Sequence, residues 1–208
     1  MPLQNRVTPF GEIVAVAVRG TMMGNRGIIH DPRTRELLSR RWQHQAWICC
    51  VLEFKGYQHP IMGEGHYTEL FFLDEATAFA AGHRPCAYCR RADFNAFKRA
   101  WAEAQTLSPA DVRAPAIDRR LHRERTTRKR VQVTYTTALD DLPDGTLVRL
   151  EDYPWLVQGS RVLRWSAQGY ELARERSVGT TVEVLTPRST VAAFAHGYRA
   201  RVHSSAAA

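Results

Sequence analysis

Cys86 and Cys89 lie in the run Gly82-His83-Arg84-Pro85-Cys86-Ala87-Tyr88-Cys89-Arg90. A Cys-x-x-Cys turn lets two thiolates grip one soft ion, and zinc then takes two further donors to close a tetrahedron. The other two cysteines are the adjacent Cys49 and Cys50. Redox dithiols share the spacing, but they open a helix after a buried strand. Here the motif follows a helical stretch, and other cysteines lie upstream. Zinc is therefore the expected cofactor, with Cys49, Cys50, Cys86 and Cys89 as candidate ligands. Neighbouring side chains on a strand point to opposite faces, so both members of the vicinal pair cannot easily reach one ion. Ile48, Cys50, Leu52 and Phe54 share an apolar face, whereas Trp47, Cys49, Val51 and Glu53 share a mixed one. That pattern makes Cys49 the ligand and Cys50 a core residue. A histidine would then complete the site, drawn from His30, His44, His59, His66 and His83.

Several elements must position these groups. Glu12 to Arg19 and Trp47 to Phe54 are rich in β-branched and aromatic residues and predict strands. Gly24-Asn25-Arg26-Gly27 predicts a tight turn, and the alternative of a phosphate-binding loop lacks the rest of such a motif. Leu70 to Leu73 predicts a short strand. Asp74 is a suitable N-cap for a helix over Ala76 to Ala81, with Gly82 as its stop. A second helix is expected over Arg91 to Gln105, with Phe94, Phe97 and Trp101 on one face. Ala116 to Arg125 predicts a basic helix.

From Val131 the period becomes two, and strands are expected at 147–150, 155–158, 161–165, 169–173 and 181–185. Thr186, Pro187 and Gly197 mark the cap, first position and stop of a last helix. Ser204 to Ala208 should fray. The expected organisation is α+β. A zinc-bearing α/β part spans 1–106 and a basic helical linker 107–130. An antiparallel meander or small barrel with a terminal helix spans 131–208.

The chain of 208 residues is 44% hydrophobic and carries a formal charge of +8. That is enough apolar material for a packed core, and no stretch approaches the ~20 apolar residues of a spanning helix. A cytoplasmic protein with no membrane partner is expected. Residues 1–130 hold 21 Lys and Arg against 13 Asp and Glu, whereas 131–208 hold 8 of each. Excess positive charge confined to one part favours a polyanion such as nucleic acid. The densest run is 113–130, where Arg119, Arg120, Arg123, Lys129 and Arg130 are candidate phosphate contacts. Tyr153, Trp155, Trp165 and Tyr170 could stack on bases, but aromatic residues in short strands more often belong to a core. His30 and Asp31 could pair as acid and base in a hydrolase.

The stretch from Phe71-Phe72-Leu73-Asp74-Glu75-Ala76 through Ala81-Gly82-His83-Arg84-Pro85-Cys86-Ala87-Tyr88-Cys89 resembles the N-terminal zinc-binding domain of the Ada DNA-repair family. The match is close over 68–91 and looser over 47–55, where Ile48-Cys49-Cys50 aligns with an Ile-x-Cys strand end and selects Cys50. The resemblance implies a four-cysteine zinc site packed near DNA phosphates, with Arg84, Arg90 and Arg91 holding the phosphate. In that family a zinc-bound thiolate accepts a methyl group from a methylated phosphate, which would fall to Cys50 or Cys49 here. The chain departs from the pattern. The second upstream cysteine is absent, since Glu53 and Phe54 stand four residues after Cys49 and Cys50. The Pro-Cys-His-Arg acceptor motif and the helix-turn-helix half are also missing. The expected function is zinc-dependent binding of nucleic acid, DNA above all, in damage repair or sensing. Two alternatives are an enzyme with a methyl-accepting thiolate and a protein-interaction module with structural zinc.

Overall fold

The computed structural model describes residues 1–57 and 59–207. In chain order its elements are β1 (Arg6–Val7), β2 (Ile13–Val14), β3 (Met22–Asn25), β4 (Ile48–Cys50), β5 (Leu70–Phe72), α1 (Glu75–Ala80), β6 (Arg84–Pro85), α2 (Arg91–Ala104) and α3 (Ala114–Arg125). There follow β7 (Tyr135–Ala138), β8 (Leu147–Leu150), β9 (Tyr153–Gln158), β10 (Arg161–Trp165), β11 (Tyr170–Glu175), β12 (Thr181–Val184) and α4 (Arg188–Ala195). Two six-stranded sheets form, in the orders β2-β1-β5-β3-β4-β6 and β11-β10-β9-β8-β12-β7. The first is mixed, because β1 runs parallel to β5 and β4 parallel to β6. The second is antiparallel: β8 to β11 form a meander and β12 returns beside β8. The fold is α+β, as the change of period in the sequence implied.

Of the run expected to turn, Gly24 and Asn25 belong instead to β3, in the interior of the first sheet, and the bend falls at Arg26 and Gly27, whose φ is +95°. A Cβ on Gly24 would stand 2.1 Å from the Ile48 carbonyl oxygen and 3.0 Å from the Phe72 ring. The glycine is there for a close approach between strands, not for a turn. The strands over 12–19 and 47–54 are shorter than expected, at two and three residues.

Helix α1 joins the two sheets. Asp74 caps it, its Oδ1 accepting from the Thr77 amide at 2.8 Å and from Thr77 Oγ1 at 2.7 Å. All six of its residues are buried. Ala76 and Ala80 pack with Leu147, Leu156 and Leu163 of the second sheet. Phe79 packs with Phe94, Phe97 and Trp101 of α2 and Phe194 of α4. Ala78 joins Leu70 and Phe72 of the first sheet. Three apolar clusters thus meet on one short helix, and its small side chains permit the approach. The predicted stripe of α2 is buried here, each aromatic contributing about 1.5–3 kcal/mol relative to exposure. Trp155 and Tyr170 are core residues, and Trp165 donates its Nε1–H to Thr77 Oγ1 at 3.0 Å, so base stacking is open only to the half-exposed Tyr153.

Two terminal expectations are corrected. Pro187 occupies the cap position of α4, and Thr186 Oγ1 accepts from the Leu147 amide at 3.0 Å instead of capping the helix. Ser204–Ala207 forms a 3-10 turn with Ala206 buried, held where Ser205 Oγ accepts from the Tyr170 amide at 2.8 Å. Ala208 lies outside the described residues.

Candidate metal centre

Strand register brings the cysteines together. β4 and β6 run parallel, with Cys49 opposite Pro85. The Cys86 amide donates to the Cys49 carbonyl at 2.9 Å, which sets Cys86 beside the end of β4. The chain then turns tightly. The Arg90 amide donates to the Cys86 carbonyl at 3.1 Å, and the Tyr88 amide donates to Cys86 Sγ at 3.4 Å. An N–H aimed at sulfur favours the thiolate that a metal needs. The sulfurs of Cys50, Cys86 and Cys89 all lie within 4.8 Å of one another. Zinc bonded at about 2.3 Å to each would hold them about 3.8 Å apart in a tetrahedron, which lies within that bound. The donor set fits zinc.

The cysteines influence one another strongly. Bonds donated by Cys50 and Cys89 hold the Cys86 thiol well below the ordinary thiol range. Donating to Cys86 and Cys89, together with burial, pushes Cys50 far above the ordinary thiol range. The three thiols share their protons as one coupled group, and a cation would take the place of those protons.

Cys49 is elsewhere. It is buried with Val7, Ile29, Leu70 and Phe72 on the opposite face of the strand. Burial, and then the charge of Glu75, raises its pKa. One member of the vicinal pair joins the sulfur cluster, as strand alternation requires, and it is Cys50 where Cys49 was expected. The strand ends at Cys50, so Leu52, half-exposed, and Phe54 do not continue an inward apolar face. The Ile-x-Cys alignment selected the sulfur that joins the cluster. Cys49 and Cys50 are 1% and 8% exposed, so neither is placed to attack a bulky phosphate. Cys89 is the partly exposed member.

None of the candidate histidines joins the sulfurs. His30 is buried against Thr68 Oγ1 at 2.6 Å and the Gly63 carbonyl at 3.3 Å. Asp31 accepts from the Arg33 amide, and among the described residues it forms no bond to His30. His59 and His66 stack at 4.3 Å, with His59 3.0 Å from Glu69. His83 is buried beside Trp47 and Phe72, and His44 is exposed. Tyr67 lies near the sulfurs: burial, and then the charges of Cys50 and Glu69, pushes its hydroxyl up to about 12.

The arginines divide. Arg84 is buried and grips Asp118 of α3 with both Nε and Nη2, at 2.7 and 2.8 Å. Arg90 is buried between Glu75 at 2.6 Å and Asp93 at 2.8 Å, and it donates to Cys49 Sγ at 3.5 Å. Both hold the fold around the cysteine turn and neither is placed to meet a phosphate, contrary to expectation. Arg91, Arg119, Arg120, Arg123, Lys129 and Arg130 are exposed. Arg120 shares its charge with Glu124. Beside the cysteines, Tyr88 stands exposed at 5.1 Å from the Phe54 ring, with Lys55 Nζ 5.2 Å from the Tyr88 centroid. Sequence reasoning did not single out this aromatic and basic rim. It also overlooked the inward role of Arg125, although Ile117, Leu121 and Arg125 fall four residues apart on one helical face.

Comparison with family models, with curated proteins and with solved structures finds no match for this chain.

Proposed function

We propose that this chain is a zinc protein that docks on nucleic acid, with DNA the favoured polymer and damage repair or sensing the setting. Cys50, Cys86 and Cys89 would hold the metal. Once bound, zinc keeps thiolates deprotonated at neutral pH and leaves its fourth position to a solvent molecule or another donor. The observation that carries the reading is the pairing of this triad with a rim of the half-buried Phe54 and the exposed Lys55 and Tyr88. Aromatic faces beside cations suit unpaired bases and backbone phosphates together. Arg91 extends the positive charge from the start of α2. The outer face of α3 and the loop after it add Arg119, Arg120, Arg123, Lys129 and Arg130.

Binding of labelled duplex DNA, single-stranded DNA and RNA, followed by anisotropy at increasing salt, tests the proposal. Contact with about four to six phosphates gives a slope of log K against log salt near −3 to −5. Tyr88→Ala should weaken single-strand binding by about tenfold, the loss of one stacked base. Absence of salt-sensitive binding to every polymer at about 100 mM salt would sink the reading.

A further inference from the structure

A cleft of about 480 Å3 opens between the start of the chain, the loop before β4 and the end of α3, and it shares no lining residue with the cysteine cluster. That volume lies within the ~300–1,000 Å3 of ordinary small-molecule sites. Its lining carries Arg26, Arg41, Arg125 and Arg130 together with Trp42 and Trp47, and Glu12 stands exposed among them.

The cations are the anomaly. Arg26 and Arg125 are each 3% exposed, and their guanidinium carbons lie 4.0 and 3.8 Å from the centroid of Trp47. Among the described residues, neither forms an ion pair. Arg26 donates to His83 Nε2 and to the Gly11 carbonyl, all at 3.4 Å. Arg125 donates to the carbonyls of Gly82 and Gln45 at 2.7 Å, and it meets His122 Nδ1 at 3.2 Å. Its buried Nε has no partner. The nearby Asp118 is already engaged by both ends of Arg84. Arg41 and Arg130 reach only backbone carbonyls, of Leu38 and Arg40 and of Ser39. Buried charges are normally paired. Two buried guanidiniums with neutral partners, joined on one cleft by two more, are a site short of an anion. Burial and the proximity of Arg41 bring Arg26 down to about 9, which still leaves it charged at neutral pH.

We propose that this cleft binds a phosphomonoester whose sugar also bears a flat ring, a nucleotide either free or at the end of a strand. The phosphate sits against Arg26 and Arg125, and Arg41 and Arg130 close over it. A dianion suits four guanidiniums better than a monoanion, and planar forks match tetrahedral oxyanions. The half-buried Trp42, tilted against Trp47 at 5.8 Å, offers its indole to the ring. This site does not rest on the nucleic-acid reading of the cysteine rim.

Titration calorimetry of the zinc-loaded protein with inorganic phosphate, adenosine, adenosine 5′-monophosphate, and an oligonucleotide with and without a 5′-phosphate tests it. The nucleotide should bind with a Kd below about 1 mM, and about tenfold or more tighter than adenosine or phosphate. Stronger binding of the 5′-phosphorylated oligonucleotide than of the nucleotide would assign the site to strand ends, and the reverse order to free nucleotides; either supports the site. Arg125→Met would cut the buried bonds to the Gly82 and Gln45 carbonyls, so the rim variants Arg41→Ala and Trp42→Ala carry the test. Each should weaken nucleotide binding at least tenfold while zinc content stays at one per chain. Equal affinity for phosphate and nucleotide would remove the ring from the proposal. No binding of any phosphate compound at 10 mM, or binding unchanged in both variants, overturns it.

Discussion

Exchanging the roles of Cys49 and Cys50 by mutation gives the sharpest test of the metal centre. Cys49 is 1% exposed in an apolar cluster, and a hydroxyl buried there in place of a thiol costs about 1–3 kcal/mol. In a chain of this size that lowers Tm by about 2–12 °C. The sulfurs of Cys50, Cys86 and Cys89 are untouched, so Cys49→Ser should keep one zinc per chain and a chelator should still lower its Tm. Cys50→Ser instead removes one of three sulfurs and leaves a hydroxyl that does not ionise at neutral pH. Its zinc should fall to near zero after dialysis, and chelator should no longer change its Tm. Elemental analysis beside scanning calorimetry reads both. Metal lost in Cys49→Ser and kept in Cys50→Ser would refute the face assignment, and metal kept in both would refute the triad.

Asp118→Asn leaves the buried Arg84 guanidinium without its counter-charge, and should cost about 3–5 kcal/mol, or about 6–20 °C of Tm. Replacing both partners with apolar residues should restore most of it, and a double variant as unstable as the single one would contradict the account. His83 is held well below its usual 6.5 by burial and then by Arg26 and Arg125. Its folded form stays neutral while the unfolded chain takes up a proton below 6.5, so stability should fall as pH drops through about 6.5. Urea midpoints between pH 7.5 and 5.5 should show this slope and His83→Gln should flatten it, leaving the part due to His122, which burial and Arg125 also hold below its usual value; an equal slope in both would refute the assignment.

Much of the local plan was legible. Asp74, the alanines after it and Gly82, whose φ is +81°, mark α1 with the residue types each position requires. Phe94, Phe97 and Trp101 announced the inner face of α2, and the shift to period two announced the second sheet. The cysteine cluster followed from spacing for two of its members, but the third needed a strand end that periodicity does not place. What stayed hidden depends on partners distant in sequence. Arg84 and Arg90 read as free cations because Asp118 and Glu75 meet them only after folding. The start of α4 is met by Glu124 of α3, whose Oε2 accepts from the Ser189 amide at 3.0 Å, and no local signal encodes that. Gly24 looked like a turn because a glycine placed for backbone approach is indistinguishable, in one sequence, from one placed for a positive φ.

The position of α1 has a kinetic consequence. Its acidic start is clasped by residues far along the chain: the His203 amide donates to Asp74 Oδ2 and the Arg201 amide to Glu75 Oε2, across 129 and 126 residues. The Tyr198 hydroxyl adds a third bond to Glu75 across 123. Until that late segment arrives, two carboxylates lack their clasp and two of the three clusters around the helix are incomplete. Contacts of such separation slow folding, because loop closure is costly before it is rewarded. The cysteine turn itself is local. The start of the helix therefore locks only after the segment at 198–203 has arrived, whereas the Cys86–Cys89 turn forms from neighbours in sequence.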